Sequence, residues 1–195
     1  DANSYPLSRP IYVCPIMKPD VTFEAGEFLP NDKLPLDIIH TIVKRLKEGD
    51  DTSPAIAPDI KIINFSIGDS FRPFQNNLSS WAKLIDWLSY KYGLLFIVSA
   101  GNYSDNFVLN INSNDFDALN SNQIQNISLQ HIVETNFNRK ILTPAESINS
   151  LTVGASHFDY SEANNLYQRI NLITADNLIS PISRIGFGYK KSIKP

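Results

Sequence analysis

An uninterrupted apolar run that ends in small residues is the feature that most constrains this chain. Five large apolar side chains form Leu94–Val98 without alternation, and Ser99, Ala100, Gly101 and Asn102 follow directly. Such a run predicts a strand buried on both faces, as in a parallel sheet covered by helices. Ligands of open α/β sheets bind at the carboxyl ends of strands, where small residues allow a close approach. The run therefore predicts that Asn102 lies where a ligand would bind, although Gly-Asn is also typical of a simple turn.

The composition fits one α/β domain over residues 1–195 and argues against several classes of function. The chain is 43% hydrophobic and 19% charged, with a formal net charge of -3, so no nucleic-acid partner is expected. It has no signal peptide and no apolar run that could span a membrane, so no membrane partner is expected and an intracellular bacterial location is slightly favoured. The single cysteine, Cys14, lies in the apolar run Ile11–Met17 and is expected to be buried and inert.

The order of patterns along the chain predicts a doubly wound, mainly parallel α/β sheet with helices on both faces. Apolar residues at helical spacing predict two helices between the first three strands. The predicted elements, in order, are a strand over Ile11–Met17, a helix from Pro35 to Gly49, a strand over Lys61–Gly68, a helix from Ser79 or Ser80 to Gly93, and strands over Leu94–Ser99, Ser150–Ala155 and Ile179–Phe187. Residues 103–142 form an Asn-rich insertion with weak helical periodicity, and residues 69–78 are expected to form a loop.

Two successive strands of this pattern end in small residues followed by a polar one. They end in Ser66-Ile67-Gly68 and in Ser99-Ala100-Gly101. Because the carboxyl ends of adjacent parallel strands meet at one edge of a sheet, the two glycines are expected to leave a cleft with backbone walls. Such a cleft suits a peptide or protein substrate that is bound by strand addition.

Four segments together resemble the subtilisin-like serine peptidases. The resemblance extends from Ile11 to about Gly188, and the segments that carry it are Ile62–Gly68, Val98–Asn102, Thr143–Ala145 and Ser150–Ala155. It implies a partial subtilisin-like fold and a serine endopeptidase activity.

The resemblance also implies roles for individual residues. Asn102 would donate its side-chain amide to the oxyanion hole, and Ser66-Ile67-Gly68 would pair antiparallel with the substrate backbone. Together with Ser99-Ala100-Gly101, that segment would form the walls of the primary specificity pocket. A cis peptide bond is implied before Pro144, and Leu142, where the family often has Gly, would narrow the pocket floor.

The three motifs that hold the family's catalytic Asp, His and Ser do not occur in this sequence. The chain is therefore interpreted as the middle of a subtilase, with a catalytically inactive subtilase-like domain that binds peptides or partners as the alternative. An unrelated doubly wound domain with a small ligand is a third possibility, but no glycine-rich phosphate loop follows any strand.

No substitute triad, metal site or cofactor is predicted. His40 is expected on the flank of a helix and His131 in solvent, while His157 with Asp159 is a weak metal signal without a third ligand. The acidic residues of the first part of the chain have no fixed spacing; they are Glu24, Glu27, Asp32 and Asp37.

The family's strand with the catalytic Asp is also missing, which exposes a sheet edge. We therefore expect Ile11–Met17 to pair beside Lys61–Gly68, or the edge to be covered by self-association or by a partner protein.

Overall fold

The computed structural model describes residues 9–20, 26–30, 32–158 and 170–194. The chain forms two compact units, Asp1–Ile60 and Lys61–Pro195. The first unit contains an antiparallel pair of short strands, β1 (Lys18–Asp20) and β2 (Gly26–Phe28), and a helix, α1 (Pro35–Lys47).

Helix α1 begins and ends where its sequence signals predict. Pro35 occupies the first turn with Asp37, basic side chains occupy the last turn, and Gly49 follows with φ +82°. A Cβ at Gly49 would lie 2.4 Å from the Ser53 carbonyl oxygen, so only glycine fits this turn. The prediction for this helix is confirmed.

The predicted strand over Ile11–Met17 is wrong, because this segment has no regular secondary structure. Three prolines, Pro10, Pro15 and Pro19, remove backbone donors from the segment and flank it, which prevents a continuous ladder. Its apolar side chains are largely exposed, and Cys14 is exposed as well, which corrects the expectation of a buried thiol. The expected pairing of this segment beside Lys61–Gly68 is therefore wrong too.

The second unit is built around a parallel sheet. Its strands β3 (Ile62–Phe65), β5 (Leu95–Ser99) and β7 (Ser150–Val153) pair in the order β3-β5-β7. The further elements among the described residues of this unit are β4 (Asp69–Pro73), α2 (Ser80–Tyr92), α3 (Ser113–Asp117), α4 (Ser121–Glu134), a 3₁₀-helix (Asn136–Arg139), β6 (Leu142–Thr143) and a 3₁₀-turn (Tyr189–Lys191). A parallel sheet with helices around it confirms the α/β class.

Helix α2 packs on one face of this sheet. The Ser79 side chain accepts a hydrogen bond from Ala82 N (3.0 Å) and caps the helix, and Gly93 ends it with φ +61°. The ring of Phe65 meets the ring of Trp81 edge-on at 5.8 Å, which joins β3 to α2.

On the opposite face the side chains of β5 are exposed or half-buried, so the prediction that every residue of Leu94–Val98 is buried is wrong for Leu95 and Ile97. Phe96 and Val98 of β5 are fully buried. Leu95, whose side chain lies on the other face of the strand, is 41% exposed. The residues on this open face, read from the strand register, are Ile62, Asn64, Leu95, Ile97, Ser99, Leu151 and Val153. Exposed apolar faces of this kind are typical of surfaces that contact further protein.

Three further predictions from the sequence differ from the structure. The Asn-rich insertion contains the helices α3 and α4, and α4 is capped: the Asn120 side chain accepts from Gln123 N (3.0 Å) and the Gln123 side chain accepts from Asn120 N (2.9 Å). Strand β4 pairs antiparallel with β6 where a loop was expected. The expected strand over Ile179–Phe187 forms only isolated bridges.

The one-sided burial of the sheet makes a prediction about stability. In this 195-residue chain, Phe96→Ala should lower the free energy of unfolding by about 3–5 kcal/mol, because it opens a cavity against α2. Leu95→Ala, the neighbouring substitution on the open face, should cost about 1 kcal/mol. Urea denaturation measures both, and equal losses would show that the two faces are equally buried.

Candidate functional site

The carboxyl ends of β3 and β5 lie side by side, because Phe65 and Val98 are register partners in the parallel pair. The segments Ser66-Ile67-Gly68 and Ser99-Ala100-Gly101 therefore leave the sheet at the same edge. The small residues that follow β7, beginning with Gly154, reach this edge from the other side of β5.

A cavity of about 260 Å³ opens at this edge. Its lining includes Asn64, Ser66, Ile97, Val98, Ser99, Gly101, Asn102, Val153, Gly154, Ala155 and Ser183. Of the residues predicted for the site, Ile67, Gly68 and Ala100 are not among these, and Ala100 is fully buried. The cavity thus joins the predicted Asn102 to the end of β7 and to Ser183, neither of which the sequence had placed in the site.

Asn102 is one of the residues that line this cavity. The residue is exposed, its backbone forms an antiparallel bridge with Ser183, and its carbonyl oxygen accepts from Arg184 Nε at 2.8 Å. Across the described part of the chain, no hydrogen bond engages its side-chain amide. The backbone of Asn102 is therefore held in place, while its side-chain amide is available to a ligand.

The cleft that the sequence predicts between Gly68 and Gly101 is filled by Leu142. A Cβ at Gly101 would lie 2.6 Å from Leu142 Cδ1, and a Cβ at Gly68 would lie 3.2 Å from Leu142 Cβ. Gly101 also adopts φ +97°, which disfavours any side chain. The two glycines therefore make room for one buried leucine side chain, and the cis peptide bond predicted between Thr143 and Pro144 is confirmed.

A buried carboxylate fixes the turn that follows Leu142. Glu146 is fully buried, and its Oε1 accepts from Ser79 N (3.1 Å) and from Thr143 Oγ1 (3.3 Å). On β7, Thr152 Oγ1 donates to Ala145 O at 2.6 Å. These bonds tie the turn to the start of α2 and to the sheet, so the position of Leu142 is rigidly supported.

Two arginines that the sequence analysis did not identify contact Asn102 and the residue after it, Tyr103. Arg139 is fully buried, with its guanidinium carbon 3.9 Å from the ring centre of Tyr103, and Arg184 approaches the same ring at 5.8 Å. Burial lowers the pKa of both guanidinium groups, and Asp105 partly offsets this effect. No sequence periodicity marks these residues, because Arg139 ends a short 3₁₀-helix and Arg184 lies in an irregular segment.

The three histidines of the sequence lie in different parts of the described chain. His40 lies in α1, and His157 Nε2 lies 3.0 Å from Asn171 Oδ1. His131 packs on the ring of Phe107 at 4.4 Å and is half-buried, so its predicted exposure to solvent is wrong. Glu24 and Asp159 lie outside the described residues, among which no three His, Cys, Asp or Glu side chains gather as metal ligands would.

The fold and the site define an α/β protein with a cavity at the carboxyl edge of a parallel sheet, lined by small, polar and apolar residues. The model of the Subtilase family matches residues 38–195, and the chain belongs to this family. Neither the curated proteins nor the solved structures contain a match. Membership of the family supports a peptidase-like function.

None of the helices in the described ranges is both long enough and apolar enough to cross a membrane.

Proposed function

We propose that this chain supplies the oxyanion amide and the substrate-binding strand of a subtilisin-like serine endopeptidase. The observation that carries the proposal is the side chain of Asn102. It stands exposed at the edge cavity, without a hydrogen bond to any described residue, on a backbone held at both sides. The family membership gives this arrangement its chemical context.

In the proposed mechanism, Asn102 acts when a serine oxygen attacks the substrate carbonyl. A histidine takes the serine proton and an aspartate orients the histidine. The family's motifs for these three groups do not occur in residues 1–195, and we propose that a longer polypeptide containing this sequence supplies them. Negative charge then develops on the carbonyl oxygen, and a neutral amide that donates hydrogen bonds stabilises it. Because this bond is stronger in the transition state than in the ground state, it accelerates the reaction.

The substrate backbone is proposed to run antiparallel to Ser66-Ile67-Gly68 as it leaves β3. The wall on the other side is Ser99-Ala100-Gly101, which leaves β5 in parallel with it. Leu142 fills the space between the two glycines, so the pocket for the side chain before the scissile bond is shallow. We therefore propose a peptide or protein substrate with a small residue at that position.

The alternative is a catalytically inactive subtilase-like domain that binds peptides or a partner protein. It is favoured by one observation, the absence of the family's Asp, His and Ser motifs from this sequence. The proposed peptidase function is tested by the turnover number of the Asn102→Ala variant of the full-length protein, since an inactive binding domain has no turnover to lose.

A further inference from the structure

The backbone around Asn102 is fastened to a segment far along the chain. Arg184 N donates to Gly101 O at 3.1 Å, and Tyr103 N donates to Ile182 O at 2.8 Å. Between these two bonds, the Asn102 carbonyl oxygen accepts from Arg184 Nε at 2.8 Å. The residue that carries the proposed oxyanion donor is therefore held on both sides and at its own carbonyl group.

A second nitrogen of the Arg184 guanidinium group contacts the backbone at the end of the 3₁₀-helix Asn136–Arg139. Arg184 Nη1 donates to Asn138 O and to Lys140 O, at 3.1 Å in each case. Among the described residues, no carboxylate lies within 4.0 Å of Arg184, so backbone carbonyls are its partners. A planar group with donors in a fixed fork can bridge three carbonyls, which a lysine ammonium cannot do with the same geometry.

The 3₁₀-helix that Arg184 contacts is held in place by the buried Arg139. Arg139 Nε donates to Thr135 Oγ1 at 2.8 Å, and Nη1 donates to Pro181 O at 2.5 Å. The guanidinium group stacks on Tyr103, the residue after Asn102. Arg139 thereby joins Thr135, which precedes the 3₁₀-helix, to Pro181 in the segment that contains Arg184.

We infer that Arg184 is a positioning residue for Asn102, which it holds at the distance where its amide meets the oxyanion. This inference rests on the proposed function. An oxyanion donor is effective only within hydrogen-bond distance of the developing charge, and a misplacement of about 1 Å can cost about 100-fold in rate. A residue that fixes the Asn102 carbonyl therefore controls turnover without touching the substrate.

A double-mutant cycle in the full-length enzyme tests the inference. Arg184→Gln should lower kcat about tenfold and change KM less than about twofold, because only the transition-state bond is weakened. In the Asn102→Ala background the same substitution should cause no further loss, because the group that Arg184 positions is gone. Arg45→Gln, at an arginine that is 54% exposed and paired with Asp50, is the matched control and should leave kcat unchanged.

Arg184→Lys separates the fork geometry from the charge. It keeps the positive charge but cannot bridge the carbonyls of Asn102, Asn138 and Lys140, so we expect a similar loss of kcat. Equal losses in both backgrounds, a change in KM alone, or full activity of the lysine variant would overturn the inference. If neither Arg184 variant folds, as judged by thermal melting, the role is structural only and the inference is wrong. An Asn102→Ala enzyme with unchanged kcat would instead refute the proposed function.

Discussion

Replacing Asn102 by alanine in the full-length enzyme is expected to lower kcat about 10²–10³-fold, the range found when subtilisin loses its equivalent donor. The structure gives the reason: Asn102 is exposed and lines the edge cavity, and its side chain makes no hydrogen bond to any described residue. Its removal therefore breaks no described contact of the folded chain, and KM should remain nearly constant because the lost bond forms fully only in the transition state. Steady-state kinetics with a peptide substrate measure both constants.

Asn126→Ala is the matched control for this variant. Asn126 is an exposed residue of α4, so the same change of side chain should leave kcat and KM as they are. A variant of Asn102 that lost only affinity would remove this residue from the oxyanion role.

Replacing Leu142 by alanine is expected to change substrate preference. Its side chain fills the space between Gly68 and Gly101, so truncation deepens the pocket between the two walls. The ratio of kcat/KM for a peptide with Phe before the scissile bond to one with Ala should rise about 10- to 100-fold, the usual effect of adding hydrophobic pocket volume.

The stability cost of the Leu142 variant needs its own control. Leu142→Ala should lower the free energy of unfolding by about 2–5 kcal/mol, since the residue is 4% exposed. Ile141→Ala removes a fully buried neighbour and should cost a similar amount without altering preference. An unchanged ratio in the Leu142 variant would show that this leucine does not limit the pocket.

The features that the sequence predicts well are those with local causes. Helix α2 begins at the Ser79 cap and ends at Gly93, and each signal acts within about four residues. The placement of Asn102 at the sheet edge follows from strand order, because an apolar run ending in small residues must deliver the next side chain to the carboxyl edge. Such signals are complete within a short window of sequence.

The features that the sequence predicts poorly depend on distant parts of the chain. The run Leu94–Val98 is apolar throughout, yet only alternate side chains are covered, because hydrophobicity does not record which residues will cover a face. The bond from Arg184 to Asn102 joins residues 82 positions apart, and nothing near either residue indicates it. The cap of α4 was a local signal, Asn120 with Gln123, that polar composition obscured.

The most direct test of the central claim is labelling with a fluorophosphonate, which reacts with activated serines. The claim is that this chain holds the oxyanion and substrate-binding part of a serine peptidase, while the nucleophile and its base lie elsewhere in the full-length polypeptide. We predict no labelling of the 195-residue chain and stoichiometric labelling of the full-length protein at one serine outside these residues. Labelling of any serine within residues 1–195, or a full-length protein that does not react, would contradict the claim.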